Sequence, residues 1–444
     1  MNAISELRFN ALAGYSRSPT LALIARDLAW YEDGDEKVLG LIALDLPDQD
    51  YVSYVLGRDA KGRFRCVWLE VSLATQEEAV ALLERKLEEF AQAPPETYHQ
   101  GDETGRPVDF FTPVVPDERQ HRVFKILIGE RGYSSARGLI AEMMHYFEDV
   151  DGNFVQQFQS DGFDARLWEL YIYALLNELG YGIGRDHPAP DFHCQGLLGD
   201  FFIEATTVNP SGEAPNVDAE NRDAYFGHYV PMKYGSALFS KLRRRYWELP
   251  HVAGHPLVLA IQDFHAPHAM VWSNTALVEY LYAIRQTERP TADGSVEIVN
   301  EPVKEYVWGD KPPIPAGFFL QPDTENISAV IANPGGTISK FNRIGFLAGF
   351  GGRDIMMMRS GYCYKGSATP EWFVAEVHKP GYSETWCEGL SVYHNPNARI
   401  PLSPEVLPCA AHHTSRNGRI LSRQPTWHPV GSTTHVIVPT QNPR

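Results

Sequence analysis

The sequence lacks the patterns that define several common classes of protein. It contains no run of about 18 consecutive apolar residues, so no membrane span is predicted. The first ten residues, MNAISELRFN, lack the basic and apolar segments of a signal peptide. No CxxC pair, GxSxG motif or phosphate-binding glycine loop is present. These absences argue against a membrane protein, a zinc ribbon, an α/β-hydrolase and a P-loop nucleotidase. They favour a cytoplasmic protein.

Cysteine and positive charge are both scarce. The cysteines are odd in number and irregularly spaced, which argues against a disulfide framework and predicts reduced, structural thiols. They are Cys66, Cys194, Cys363, Cys387 and Cys409. The 39 Lys and Arg residues are outnumbered by 56 Asp and Glu residues, and the formal net charge is −17. Nucleic acid would be repelled by such a chain as a whole, so its binding requires a local basic patch.

The length of 444 residues predicts about two or three domains. Strand-forming segments fill residues 38–71, and a helix follows. Its start is marked by Thr75 and Glu78, which form a Thr-x-x-Glu capping box. We predict a small N-terminal α/β domain over residues 1–107, ending in a polar, proline-containing stretch.

The remainder is predicted to form one large domain, residues 108–408, and an irregular polar tail, residues 409–444. Beyond residue 290 we expect strands and loops. Helical periodicity covers residues 135–149, 165–179, 236–249 and 274–285. Strand patterns cover residues 201–207, 256–262, 327–333 and 389–395, and the region from 180 to 210 is typical of a strand pair.

Three acidic residues in the middle of the chain stand in a suggestive order. Glu169 lies on a predicted helix, Asp191 follows a proline, and Glu204 comes thirteen residues later on the predicted strand Phe-Phe-Ile-Glu-Ala-Thr-Thr. Because strand side chains alternate, Glu204 and Thr206 point to one face, where Asp191 on a neighbouring strand can converge with Glu204. Two carboxylates are a common protein contribution to a Mg²⁺ site. The order therefore predicts that these carboxylates share one site.

This order of elements and acidic residues resembles the core of the PD-(D/E)xK, or restriction-endonuclease-like, nuclease superfamily over about residues 150–265. The resemblance implies a restriction-endonuclease-like mixed sheet flanked by helices, and hydrolysis of DNA phosphodiesters with Mg²⁺ or Mn²⁺. It implies that Asp191 and Glu204 ligate the metal, and that Glu169 is an outer ligand or general base. A role in bacterial defence is an association with such nucleases.

The chain departs from the family at the third motif position, where Thr206 stands in place of the usual lysine. Some members carry the basic group on the following helix. Lys241 is our candidate for that role, because helical spacing places it beside Leu242 and away from the neighbouring arginines. Arg245 is the second choice.

Basic residues for a nucleic-acid groove are present in two places. Arg243, Arg244 and Arg245 form one group with Lys241, and Lys340 with Arg343 forms the other. Such groups bind phosphates without reading base sequence. We therefore expect nucleic acid as the partner, and the resemblance implies DNA. A homodimer would suit the cutting of two strands. Two alternatives stay open: a catalytically inactive copy of the fold that binds nucleic acid or protein, and a protein-interaction module with an acidic surface.

Overall fold

The computed structural model describes residues 1–104, 107–150, 152–210, 215, 217, 221–291, 296–367 and 369–439. Within these residues the helices are α1 (Glu6–Ala13), α2 (Gln76–Ala91), α3 (Arg122–Gly129), α4 (Ser134–Tyr146), α5 (Phe154–Gln159), α6 (Phe163–Glu178), α7 (Arg222–Ala224), α8 (Val230–Leu242), α9 (Ala269–Trp272), α10 (Asn274–Tyr282) and α11 (Ile338–Leu347). The strands are β1 (Asn2–Ile4), β2 (Ala25–Glu32), β3 (Val38–Asp45), β4 (Tyr51–Arg58), β5 (Phe64–Leu73), β6 (Gly182–Gly184), β7 (Phe192–Gln195), β8 (Phe201–Val208), β9 (Leu257–Asp263), β10 (Ile284–Pro290), β11 (Val296–Pro302), β12 (Glu305–Tyr306), β13 (Ile314–Pro315), β14 (Ala329–Ala332), β15 (Met356–Tyr364), β16 (Glu371–Glu376), β17 (Ser391–His394), β18 (Ala411–Arg416), β19 (Arg419–Arg423) and β20 (His428–Ile437). The protein is a mixed α/β structure.

The N-terminal region forms an antiparallel meander of β1 to β5. Helix α2 packs on β3 and β4 through the buried residues Leu83 and Leu87, and the Thr75 side chain caps it by accepting a hydrogen bond from the Glu78 backbone N–H at 3.1 Å. The predicted strands and capped helix are thus confirmed. The proposed boundary at residue 107 stays a prediction, because residues 105 and 106 lie outside the described ones.

The large sheet has eight strands in the order β19-β18-β17-β14-β9-β8-β7-β6. Strands β6, β7 and β8 are antiparallel neighbours, whereas β8, β9 and β14 run parallel to one another. Every residue of β9 is buried, as expected for a strand covered on both faces. The segment from 180 to 210 therefore holds three strands, one more than the predicted pair.

Helices cover both faces of this sheet. Side chains of β8 alternate between the two cores: Ile203 and Ala205 pack with α6, and Phe202 and Val208 pack with α8 and α10. Glu204 consequently lies on the α8 side. This alternation gives the sheet two apolar layers and positions one acidic side chain beneath α8.

Most predicted elements are confirmed, with shifted ends. Helix α8 begins six residues earlier than predicted, at Val230, and α10 ends at Tyr282 because Ala283 adopts a left-handed backbone with φ of 57°. Helix α11, Ile338–Leu347, occupies a region expected to hold strands and loops. Its apolar residues Phe341 and Ile344 are buried, so the helical periodicity is present but short.

The irregular tail predicted for residues 409–444 is corrected by the structure. Strand β18 pairs with β17, β19 pairs with β18, and β20 pairs with β15 in a three-stranded sheet with β16. Such pairings join segments that are distant in sequence, so a polar composition alone does not reveal them. Residues 440–444 lie outside the described ones.

The expectation that all five cysteines are reduced is also corrected. Cys387 and Cys409 form a disulfide with a Cα–Cα distance of 6.2 Å. The chain between them enters and leaves β17, which brings the two ends together despite a separation of 22 residues. Cys66, Cys194 and Cys363 are free thiols. In the part of the chain that is described, no helix is both long and apolar enough to span a membrane.

Candidate active site

Asp191 and Glu204 lie side by side where β7 begins. The antiparallel register pairs Phe192 with Ile203, which brings the residue before Phe192 beside the residue after Ile203. The Ala205 backbone N–H donates to Asp191 Oδ2 at 2.7 Å, and the Asp191 N–H donates to Glu204 Oε2 at 3.3 Å. The sheet therefore fixes both carboxylates through its own backbone.

Glu204 is held by two side chains from the neighbouring helix and the turn that follows it. Lys241 Nζ lies 2.5 Å from Glu204 Oε1, and the Tyr246 hydroxyl donates to the same oxygen at 2.6 Å. Glu204 is only 4% exposed, whereas the Lys241 side chain keeps 25% exposure. The lysine thus reaches the buried carboxylate from an edge that remains open to solvent.

Glu169 lies on α6 and is occupied by an arginine of the same helix. Arg166 Nη1 donates to both oxygens of Glu169, at 2.8 and 2.9 Å. A three-residue spacing on one helix places such a pair on the same face. Glu169 is 7% exposed, so the pair neutralises a charge that would otherwise be costly to bury.

Arg185, just after β6, is the residue most open to an added ligand. Its Nε and Nη1 atoms are buried and have no hydrogen-bond partner within the described part of the chain. Its guanidinium carbon lies 4.2 Å from the centre of the Phe147 ring. Burial lowers the pKa of Arg185, and the charges of Glu169 and Asp191 raise it. Two buried nitrogens of this cation therefore lie near the carboxylates without a hydrogen-bond partner among the described residues.

The carboxylates repel one another. Burial, followed by the charges of Glu204 and Glu169, raises the pKa of Asp191 to about 8. Burial also raises the pKa of Glu169, and Arg166 opposes that shift. An added cation favours the ionised form of such a carboxyl group. A bound cation would therefore favour the ionised form of Asp191.

The site offers two carboxylates for a divalent cation. Glu169, the third predicted ligand, has both oxygens hydrogen-bonded to Arg166, and its place in the ligand set stays a prediction. Among the described residues, no group of three or more His, Cys, Asp or Glu side chains is arranged to hold a metal ion. Mg²⁺ is often held by one or two carboxylates and keeps several waters, so Asp191 and Glu204 fit that ion.

The two predicted basic groups differ in their exposure to solvent. Arg243, Arg244 and Arg245 are exposed at the end of α8, next to the site, and Arg245 also pairs with Glu248 at 2.9 Å. They can therefore meet a phosphate backbone.

The second group, Lys340 and Arg343, is buried and is corrected as a nucleic-acid contact. Lys340 is 0% and Arg343 2% exposed, and Arg343 donates through Nε and Nη2 to Glu384 at 2.7 Å. Lys340 Nζ lies 3.5 Å from the same carboxylate. These cations can lie inside the protein because Glu384, which is distant in the sequence but close in space, neutralises them.

Sequence reasoning missed Arg166, Arg185 and Tyr246. Arg166 could have been found from its three-residue spacing to Glu169. Tyr246 comes shortly after the end of α8. The backbone of the preceding residue, Arg245, is left-handed with φ of 51°, and the Tyr246 hydroxyl then reaches Glu204. Arg185 carries no recognisable sequence signature. Comparison with known proteins finds no matching family model, no matching curated protein and no matching solved structure.

Proposed function

We propose that this protein is a metal-dependent phosphodiesterase that hydrolyses DNA. In this proposal Asp191 and Glu204 hold Mg²⁺ or Mn²⁺, and Lys241 acts on the attacking water or the phosphate. The observation that carries the proposal is the convergence of Asp191, Glu204 and Lys241 where β7 begins. When bound, the cation supplies Lewis acidity toward water and a phosphate oxygen.

The order of elements supports the proposal. Helix α6, the antiparallel strands β6 to β8, helix α8 and the parallel strand β9 follow one another as the superfamily resemblance implies. Lys241 also supports it, because its ammonium group contacts Glu204 from the helix that follows the strand. A cation in this position compensates for the neutral Thr206 on the strand.

The surrounding charges suit an anionic substrate. Arg185 lies beside the carboxylates with two buried nitrogens that have no partner in the described residues. Arg243 and Arg244 are exposed at the adjacent end of α8. Phosphate oxygens are good acceptors for guanidinium groups, and each such contact positions a nucleic-acid backbone. These residues supply the local basic patch that the acidic chain requires.

One observation favours the alternative of an inactive, nucleic-acid-binding copy of the fold. Oε1 of Glu204 already accepts hydrogen bonds from Lys241 and Tyr246. These contacts leave Glu204 less freedom to bind a cation. Binding to DNA in the presence of EDTA, without any metal-dependent cutting, is the result that this alternative predicts.

The test is cleavage of supercoiled plasmid and single-stranded DNA with Mg²⁺ or Mn²⁺. We expect nicking that depends on the metal, and a loss of rate of about 100-fold or more in Asp191→Asn, Glu204→Gln and Lys241→Met. The matched controls are Glu376→Gln and Lys379→Met, an exposed pair 3.9 Å apart. Intact DNA with folded wild-type protein under both metals would reject the catalytic assignment.

A further inference from the structure

A cavity of about 930 Å³ opens on the α8 side of the large sheet. Its walls come from the end of β8, from α8 and from the segment around β13. Thr206, the next residue after Glu204 on the same face of β8, lines this cavity. The cavity therefore begins on the same face of β8 as Glu204, one side chain further along the strand.

The charged side chains in the described lining of the cavity are positive, whereas the chain as a whole is acidic. The described lining contains no Asp or Glu, although the whole chain has a net charge of −17. Three cations line it: Lys233, Arg243 and Lys311. Lys233 Nζ donates to the Asn209 carbonyl at 2.6 Å, while Arg243 and Lys311 are exposed. A concave, low-dielectric wall that carries one sign of charge concentrates ligands of the other sign, so the cavity is suited to an anion.

The same walls carry aromatic rings. Tyr229 and Trp308 have ring centres 5.1 Å apart and are tilted by 54°, and both line the cavity. The guanidinium of Arg243 lies 5.6 Å from the centre of the Phe239 ring. Planar nucleobases stack on aromatic side chains and on arginine, whatever the base. A ligand that is both planar and anionic satisfies the rings and the cations together.

We propose that this cavity binds one nucleotide of a single-stranded nucleic acid, with the base on the aromatic side chains and the phosphate on Arg243 and Lys311. The choice of a nucleic-acid strand as the source of this nucleotide rests on the proposed function, because Asp191 and Glu204 would then face a neighbouring phosphate of the same strand. A single unpaired nucleotide is the unit that matches one aromatic wall and a small group of cations.

The experiment is binding of a fluorescently labelled oligothymidylate, measured by anisotropy in EDTA so that no cutting occurs. We expect Trp308→Ala to weaken binding about tenfold or more. Lys311→Ala should weaken it and reduce the dependence of affinity on salt by about one released ion. The controls are Trp372→Ala and Lys379→Ala, whose side chains lie on the distant three-stranded sheet or just after it. Lys311 is exposed, so that variant remains informative if the tryptophan variant does not fold.

The possible outcomes separate a failure of this proposal from a failure of the proposed function. Equal affinity of wild type, Trp308→Ala and Lys311→Ala would reject the cavity as a nucleotide site, as would an equal loss in the controls. Displacement of the oligonucleotide by free thymidine monophosphate at a similar concentration would show that the cavity binds a free nucleotide, and would reject a nucleic-acid strand as the ligand. Metal-dependent cutting with unchanged binding in the cavity variants rejects this inference alone. Weakened binding in those variants, with a wild type that never cuts, rejects the proposed function alone.

Discussion

The pair formed by Glu204 and Lys241 should be energetically coupled far more strongly than an exposed pair. Lys241→Met leaves the Glu204 carboxylate buried, with the Tyr246 hydroxyl as its remaining side-chain donor in the described site. Removing one partner of a buried pair costs about 3–5 kcal/mol, and the 25% exposure of the lysine places this case near the lower end. We therefore expect Lys241→Met to reduce the free energy of unfolding by about 3 kcal/mol.

The companion change, Glu204→Gln, keeps the shape of the side chain and removes its charge. Lys241 can then turn toward solvent, so the expected cost is about 1 kcal/mol. In the double variant no buried charge is left unpaired, and its cost should be about 2 kcal/mol. The coupling energy expected from the complete cycle is therefore about 2 kcal/mol.

The measurement is urea unfolding followed by tryptophan fluorescence, with the slope of the transition compared among the variants. The matched control cycle uses Glu376 and Lys379, which lie 3.9 Å apart with side chains 52% and 61% exposed. Its coupling should stay below about 0.5 kcal/mol. Equal coupling in the two cycles would refute the argument, because Lys241 would then not neutralise a desolvated carboxylate.

Three further predictions concern other parts of the molecule. Because the pKa of Asp191 is raised from 3.8 to about 8, its proton stabilises the native state at low pH, and this contribution is lost as the pH rises through about 8. Asp191→Asn should flatten the decline of the Tm with pH, and an unchanged slope of Tm against pH would contradict the prediction. Replacing Cys387 and Cys409 by serine should cost about 3 kcal/mol, since the disulfide closes a loop across 22 residues, and reductant should lower the Tm of the wild type only. Arg343→Met should reduce the free energy of unfolding by about 3 kcal/mol or more, because Glu384 stays buried without its Arg343 partner. The DNA affinity of the folded protein, measured by anisotropy, should not change.

Local patterns were sufficient to place the candidate site. The proline before Asp191 and the β-forming residues around Glu204 predicted a strand with an acidic residue at its entry and another inside the next strand. The antiparallel register then brings the two together. Lys241 was predicted to face inward from its position on a helix, and it contacts Glu204. These predictions depended on the periods of strands and helices, which a few neighbouring residues determine.

Basic residues show where local patterns stop being informative. Arg243 directly follows α8 and Lys340 lies within α11, yet the first is exposed and the second is fully buried. The difference depends on Glu384, which lies 3.5 Å from Lys340 in space and far from it in the sequence. A charge can be buried only where a partner compensates for its lost hydration, and the sequence does not say which partner will be close.

The sequence by itself determined the alternation of side chains on β8, the apolar run of β9, the capped helix α2, and the order of Glu169, Asp191 and Glu204. Only the tertiary structure decided that Arg185 and Tyr246 join the site, and that Cys387 meets Cys409. It also decided that the last strands pair with β15 and β17. The physical reason is range: periodicity follows from backbone geometry within a few residues, whereas these contacts form between segments that approach only when the two cores pack.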